Sequence, residues 1–442
     1  MTLQSQAVSD FQKATQHYIA GLPLDRGAWL TDHRWSAVTR FSDLGFPDKR
    51  QEAWRYTSIE GLLKQGFVTS DSDMEVVGTE FEHHFLDGPT AGRVVFVDGA
   101  FQPSLSDTHV PGVRINNLRS AMETSDLETL KSVGTLSGPG THGFSALNMA
   151  TMRDGALIRV SAGLRLDAPI DLVSISTSSA SGRAMRPRHL IVLEQDAEAT
   201  LVERYLSTSD NAYFTNLVCE VLLEEGASLV HQRVQQESPS AYHLADLHIE
   251  LQADASYRGV NLAIGGAWSR TKIGNSFAAP GASCELHGLY LAGEGQLVDF
   301  HLDVDHGVPG CDSRENFRGI LYGNGRAVFD GRILVQKQAQ KSSAHLSNAN
   351  LMLSRRAEID TKPQLEILAD DVMCSHGTTV GQIDPQALFY LRSRGLSEER
   401  ARRLLCLGFA SEILEQFESG SLQDHLAELI QQKIGSETKG AS

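Results

Sequence analysis

One junction returns along the middle of the chain at nearly even intervals: a turn-forming residue, an alanine, then a polar residue. It stands at Asp196-Ala197-Glu198, Gly226-Ala227-Ser228, Asp254-Ala255-Ser256 and Gly281-Ala282-Ser283, with weaker copies at Gly325-Arg326-Ala327 and Arg356-Ala357-Glu358. Measured between the alanines at 197, 227, 255, 282, 327 and 357, the steps are 30, 28, 27, 45 and 30 residues. Short β-rich runs separate the junctions, among them Leu190–Leu193, Leu217–Leu223, Leu247–Leu251 and Ile333–Val335. A strand–turn–strand unit of this length cannot bury its apolar face alone, so it stacks on its neighbours as a β-solenoid. The step of 45 reads as an insertion around Val298 to Asn316. The competing arrangement is a β-sandwich, whose turn signals come every 8–12 residues.

Helical patterns flank this core. Ser9–Asp10 caps a stretch with Phe11, Ala14, Tyr18 and Ile19 at helical spacing, and a second helix is expected over 28–44, closed by Gly45-Phe46-Pro47. Asp384-Pro385 is a helix start, Gly395 a stop, and Ser397 the cap of a further helix with Glu398 and Glu399 in its first turn. A last helix is expected over 422–434. The expected organisation is a helical domain over 1–90, a β core over 91–383, a helical domain over 384–436 and a frayed tail over 437–442.

Charge and cysteine usage narrow the function. The net charge is −16 with no long basic run, which disfavours nucleic acid and anionic membrane as partners. No apolar run is long enough to span a bilayer, and the first ten residues lack a signal-peptide layout. Five scattered cysteines without a C-x-x-C pair fit a reduced, cytoplasmic chain.

Three segments carry candidate chemistry. Gly138-Pro139-Gly140-Thr141-His142-Gly143 satisfies G-x-G-x-x-G in letters, but no convincing strand precedes it, and a structureless glycine-rich loop explains it better. No P-loop occurs anywhere, so ATP hydrolysis by that route is not expected. Asp299, His301, Asp303 and Asp305 share one face of a strand, beside His306, and such a row suits a divalent cation, acid–base work or a plain solvated face. In Asp371-Val372-Met373-Cys374-Ser375-His376-Gly377, Cys374 and His376 point to one side of an extended backbone, about 7 Å apart. Thiolate and imidazole both suit iron and iron–sulfur clusters, yet two ligands do not close a site, so a partner would complete it. The plain alternative is a buried thiol beside a surface histidine.

Gly325-Arg326-Ala327-Val328-Phe329-Asp330-Gly331 and Ala357-Glu358-Ile359-Asp360-Thr361-Lys362-Pro363-Gln364-Leu365-Glu366-Ile367 resemble two blocks of the SufB/SufD family. Asp371 to Gly377, Phe389-Tyr390-Leu391-Arg392-Ser393-Arg394-Gly395 and the R-x-E-x-W-R-Y-T element at Arg50 to Thr57 extend the likeness. The stretch Asn348 to Ser354 has no cysteine, and glycine follows His376, which resembles the SufD side of the family. The resemblance implies a right-handed parallel β-helix between helical domains. It also implies a non-ATPase scaffold in a complex with SufB and two copies of the ATPase SufC, with iron or an iron–sulfur cluster held transiently. By the same resemblance His376 is an iron or cluster ligand at the SufB interface, with Cys374 a further candidate, and the C-terminal helices contact SufC. Phe389, Tyr390, Arg392, Arg394, Arg400 and Arg403, with Arg402, are the expected contact, because aromatic and arginine side chains are enriched at interfaces. A homodimer of the isolated chain, a purely structural adaptor and a β-helix carbohydrate-active enzyme working through Asp299–Asp305 stand as the alternatives.

Overall fold

The computed structural model describes residue 13, residue 17 and residues 28–69, 80–124 and 127–437. The expected helix near Phe11 and Ile19 and the tail after residue 437 lie outside the described residues, apart from Lys13 and His17.

Parallel strands build a solenoid of about eight turns with helices at both ends of the chain, as the repeat implies. Each coil contributes one strand to each of two sheets of 12 and 10 strands, and successive coils pair residue to residue without slippage. Inward positions fill a single apolar core: Val298, Phe300, Leu302 and Val304 alternate with outward Asp299, His301, Asp303 and Asp305 on the strand Leu297–His306. The sandwich alternative fails on the parallel pairing throughout the repeat.

The corners explain the spacing and correct one inference from it. At one corner of each coil a residue adopts the left-handed conformation and the next side chain tucks beneath the turn. Asp196 (φ 57°), Gly226 (φ 69°), Asp254 (φ 56°), Gly281 (φ 82°), Gly310 (φ 70°) and Lys341 (φ 65°) precede Ala197, Ala227, Ala255, Ala282, Cys311 and Ser342. Those six small residues are all buried, so the corner selects for volume and not for alanine as such. Counted on this corner the steps are 30, 28, 27, 29 and 31 residues. Ala327 and Ala357 belong to the opposite corner, so the interval of 45 is one and a half coils. No insertion interrupts Val298 to Asn316; the strands Leu297–His306 and Asp312–Leu321 stay in register with their neighbours.

Helices interrupt the strand-rich stretch at Leu118–Thr124, Leu127–Ser132 and Gly143–Thr151. With the helix Ala28–Leu44 they cover the outer face of the larger sheet, burying Leu30, Val38, Leu118, Met149, Leu190 and Val192 together. The glycine-rich segment before Gly143 is ordered here. His142 caps the helix Gly143–Thr151 by accepting from the Ser145 amide, and a Cβ on Gly143 would sit 1.9 Å from the Gly45 carbonyl. The glycines permit close helix packing, and no phosphate cradle is left open.

The C-terminal helices begin at the expected caps. Asp384 accepts from the Gln386 amide ahead of Pro385–Ser393, and Ser397 from the Arg400 amide ahead of Glu398–Leu414. The helix Glu398–Leu414 and the last helix, Gly420–Glu437, lie on the outer face of the smaller sheet, and Pro385–Ser393 packs against Glu398–Leu414. Val202, Val234, Leu262, Leu289 and Ile320 pack there against Ile413, Phe417, Leu426 and Ile430.

Candidate functional site

The solenoid ends at the strands Glu358–Ile367 and Met373–Gly381, each terminal in its sheet and paired on one side only. Register places Cys374 over Ala344, His376 over Leu346 and Thr378 over Asn348, three buried inward positions of the preceding coil. Cys374, His376 and Thr378 therefore face the interior. Cys374 packs against the main core, and the Thr378 hydroxyl lies 3.1 Å from that of Thr361 on the facing sheet. Thr361 donates to Asn348 Oδ1 at 3.0 Å, which closes a polar floor under the mouth.

Earlier coils bury their inward side chains under the next coil. The last one has none above it, so His376 is exposed and Cys374 half-buried. Ile367 and Val380, also at core-type positions, are exposed for the same reason. Two open strand edges lie here beside exposed apolar side chains. His345 faces the outside instead, its ring nitrogens 2.7 Å from Ser375 Oγ and 3.1 Å from Ser343 Oγ.

Partial burial pushes the Cys374 thiol above its ordinary value, so it holds its proton until a cation displaces it. A soft sulfur and an imidazole aimed into one mouth fit iron or an iron–sulfur species as cargo. Among the described residues no group of three or more His, Cys, Asp or Glu side chains is placed to hold a metal. The donor set here is incomplete by itself. Sequence spacing brought Cys374 and His376 together correctly. It missed Thr361, Thr378 and Asn348, which only the register of facing strands identifies.

The acidic row on the strand Leu297–His306 is a different thing from the one its letters suggested. Asp299 is fully buried under the N-terminal segment, where Thr57 donates to it at 2.5 Å and Arg270 pairs with it. Arg270 also donates to the Ala53 carbonyl at 2.8 Å and lies 4.0 Å from the Trp54 ring centre. His301 Nδ1 is 3.6 Å from Asp330, Arg332 reaches Asp303 at 3.0 Å, and Gln336 donates to Asp305 at 3.3 Å. His306 points the other way, into the core. Burial drives the His301 imidazole far below its usual range, helped by Arg270 and Lys272, so it stays neutral. These side chains are spent on docking and cross-coil pairing. The carbohydrate-active reading loses its site with them.

The same docking joins two of the recognisable blocks. Glu52 of the R-x-E-x-W element pairs with Lys362 of the T-K-P segment at 2.5 Å, across 310 residues of chain. Lys362 sits on the terminal strand beside the open mouth.

The C-terminal candidates divide. Phe389 and Tyr390 are 74% and 56% exposed on the helix Pro385–Ser393, with Arg394 5.1 Å from the Tyr390 ring centre. Arg392, Arg394 and Arg400 are exposed, whereas Arg402 and Arg403 are half-buried and pair along the helix with Glu398 and Glu399. Arg400, Arg403, Leu404 and Gln431 line a cleft of about 420 Å³ between the last two helices.

Two family models account for almost the whole chain. The SufBD core domain of the SUF system for FeS cluster assembly matches residues 175–409, and the SufBD protein N-terminal region matches residues 6–172. The chain belongs to the SufBD family. It is 32% identical to an iron-sulfur cluster assembly SufBD family protein of Synechocystis, over 91% of this chain and 90% of that protein. It is 31% identical to the iron-sulfur cluster assembly protein SufD of Escherichia coli, over 88% and 90%. With SufD of Bacillus subtilis it shares 26% identity over 92% and 94%. The SufBD core match covers the repeat, the open mouth and the start of the C-terminal helices. Among the described residues no helix is long and apolar enough to cross a membrane.

Proposed function

We propose that the chain acts in iron–sulfur cluster assembly as a cytoplasmic scaffold subunit, holding iron or a nascent cluster as cargo at the open end of its solenoid. The observation that carries this is the inward thiol and imidazole of Cys374 and His376 at a coil end that nothing among the described residues covers. Neutral imidazole offers a lone pair to iron, and Cys374 does so once its proton leaves. The SufB partner would add its own solenoid end to the exposed strand edges and complete the coordination. The Thr361–Thr378–Asn348 floor keeps the mouth polar, so the cargo stays in contact with solvent and a second subunit. In this division of labour the described part of the 1–90 domain braces the core, 91–383 meet SufB and 384–436 meet SufC, which supplies ATP hydrolysis.

His376→Ala is expected to lower iron and acid-labile sulfide in the reconstituted complex several-fold. The side chain is exposed, so its loss should leave stability within about 0.5 kcal/mol and partner binding intact. Unchanged metal content would favour the adaptor reading, in which the chain only positions the ATPase.

The helical contact is tested by point changes, because removing 385–442 would uncover the apolar outer face of the smaller sheet. Phe389→Ala with Tyr390→Ala removes two exposed rings and no core contact. Pulldown of the ATPase partner is expected to fall at least tenfold with the melting temperature unchanged. Full retention of the partner would remove this helix from the interface.

A further inference from the structure

One carboxyl group inside the solenoid has no counter-charge among the described residues. The strand Asp312–Leu321 turns Ser313, Glu315 and Phe317 inward, and Glu315 is 1% exposed. Neither carboxyl oxygen makes a well-formed hydrogen bond, and the polar neighbour is the Ser313 hydroxyl, itself 3.0 Å from His306 Nε2. In the same column of the sheet stand Leu286 one coil before and Leu346 one coil after, so packing alone is satisfied by leucine at this position. The next residue in that column is His376. Two inter-strand steps separate Glu315 from it, about 10 Å.

Among the described residues no cation faces Glu315. Cys284 comes from the preceding coil, its thiol raised by burial and then by the carboxylate's own field. His306 comes from the facing sheet and is pushed down to about 4 by burial, hence neutral. Asp312, Arg314 and Arg318 of its own strand lie on the outer face, as do Glu285, His287 and His345 on the two neighbouring strands. Asp299, His301, Asp303, Asp305, Asp330 and Arg332 of the facing sheet also point outward. Burial accordingly raises Glu315 to about 8, and it carries its proton at neutral pH.

We propose that Glu315 is the exchangeable counter-charge of the open-end site: protonated when the mouth is empty, and ionised when a divalent cation occupies Cys374 and His376. This rests on the cargo reading above. The carboxyl O–H breaks, the proton goes to solvent, and the carboxylate balances one of the two charges brought in. The Cys374 thiolate cancels the other charge, so across about 10 Å at an effective dielectric near 20 a net unit charge lowers the acid by about one pKa unit, which takes Glu315 from about half to about nine-tenths ionised at pH 8. Linkage then makes cation binding tighter by roughly fivefold at pH 8 and hardly at all at pH 6.

The test uses cobalt(II) as the probe, titrated anaerobically into the complex reconstituted with its partners, by calorimetry in buffers of different ionisation enthalpy. Glu315→Gln keeps the shape of the neutral acid and cannot ionise. It is expected to bind cobalt about fivefold more weakly at pH 8, with roughly half a proton fewer released per ion and a flatter pH profile. Glu315→Leu, matching Leu286 and Leu346, is expected to do the same. His376→Ala should remove the site in any background. Equal affinity and proton count in Glu315→Gln, with His376→Ala still weakened, would overturn the role of Glu315 and leave the cargo reading standing. If neither variant alters cobalt binding, both ideas fall at this site.

Discussion

Arg188→Met is expected to destabilise the chain by about 3–5 kcal/mol, because it strands a buried carboxylate. Arg188 and Glu220 are both fully buried on the outer face of the larger sheet, with Nε 3.1 Å and Nη2 2.5 Å from the same carboxyl oxygen. Arg188 also donates to Asn148 at 3.1 Å and to Ser137. Glu220 in turn accepts from the Gly134 amide at 2.9 Å and the Leu136 amide at 3.0 Å, which ties down the loop ahead of the glycine-rich segment. Methionine fills the volume but removes the guanidinium that balances the Glu220 carboxylate, leaving it the Gly134 and Leu136 amides and the Ser137 hydroxyl. The midpoint of urea unfolding, followed by far-ultraviolet circular dichroism, should fall sharply. Adding Glu220→Gln should recover much of the loss, since the stranded charge is then gone. A single variant as stable as the parent would show that the pair is not what fastens this loop.

The second large effect is a pH dependence set by Glu315. Its folded value, about 8, lies above the ordinary 4.5, so the folded state holds a proton that the unfolded chain gives up. The stability tied to that proton is complete below about pH 4.5 and is lost as pH rises through about 8. Three to four pKa units correspond to about 5 kcal/mol over that window. Glu315→Gln has no such proton to lose. The parent's melting temperature should therefore drop relative to the glutamine variant between pH 5 and pH 9, with the two close together at the acid end. Parallel curves would mean that the carboxylate finds a partner or water inside the core.

Much of this was legible in the letters because a solenoid writes its period into them. One corner of each coil needs a residue tolerant of positive φ followed by a small side chain, and Asp196-Ala197 through Gly281-Ala282 state this directly. The period was lost where Cys311 and Ser342 replace alanine, since a corner selects size and the eye selects a letter. The helix caps at Asp384 and Ser397 were readable because capping is local, decided within three residues.

What the sequence by itself determined is therefore local and periodic: the coil length, the inward alternation that puts Cys374 and His376 on one side, the caps, and membership in the SufBD family. The tertiary structure decided what each of those side chains meets. Asp299 is chemically the same residue in an open acidic row or under Thr57 and Arg270, and only the docking of a segment 242 residues away seals it. Glu315 reads as one more surface acid until the register puts it in a column with Leu286, Leu346 and His376. Strand alternation fixes which face a residue takes, but the cost of a charge depends on the dielectric and the partners around it. Those come from coils and segments far apart in the chain, and folding alone brings them together.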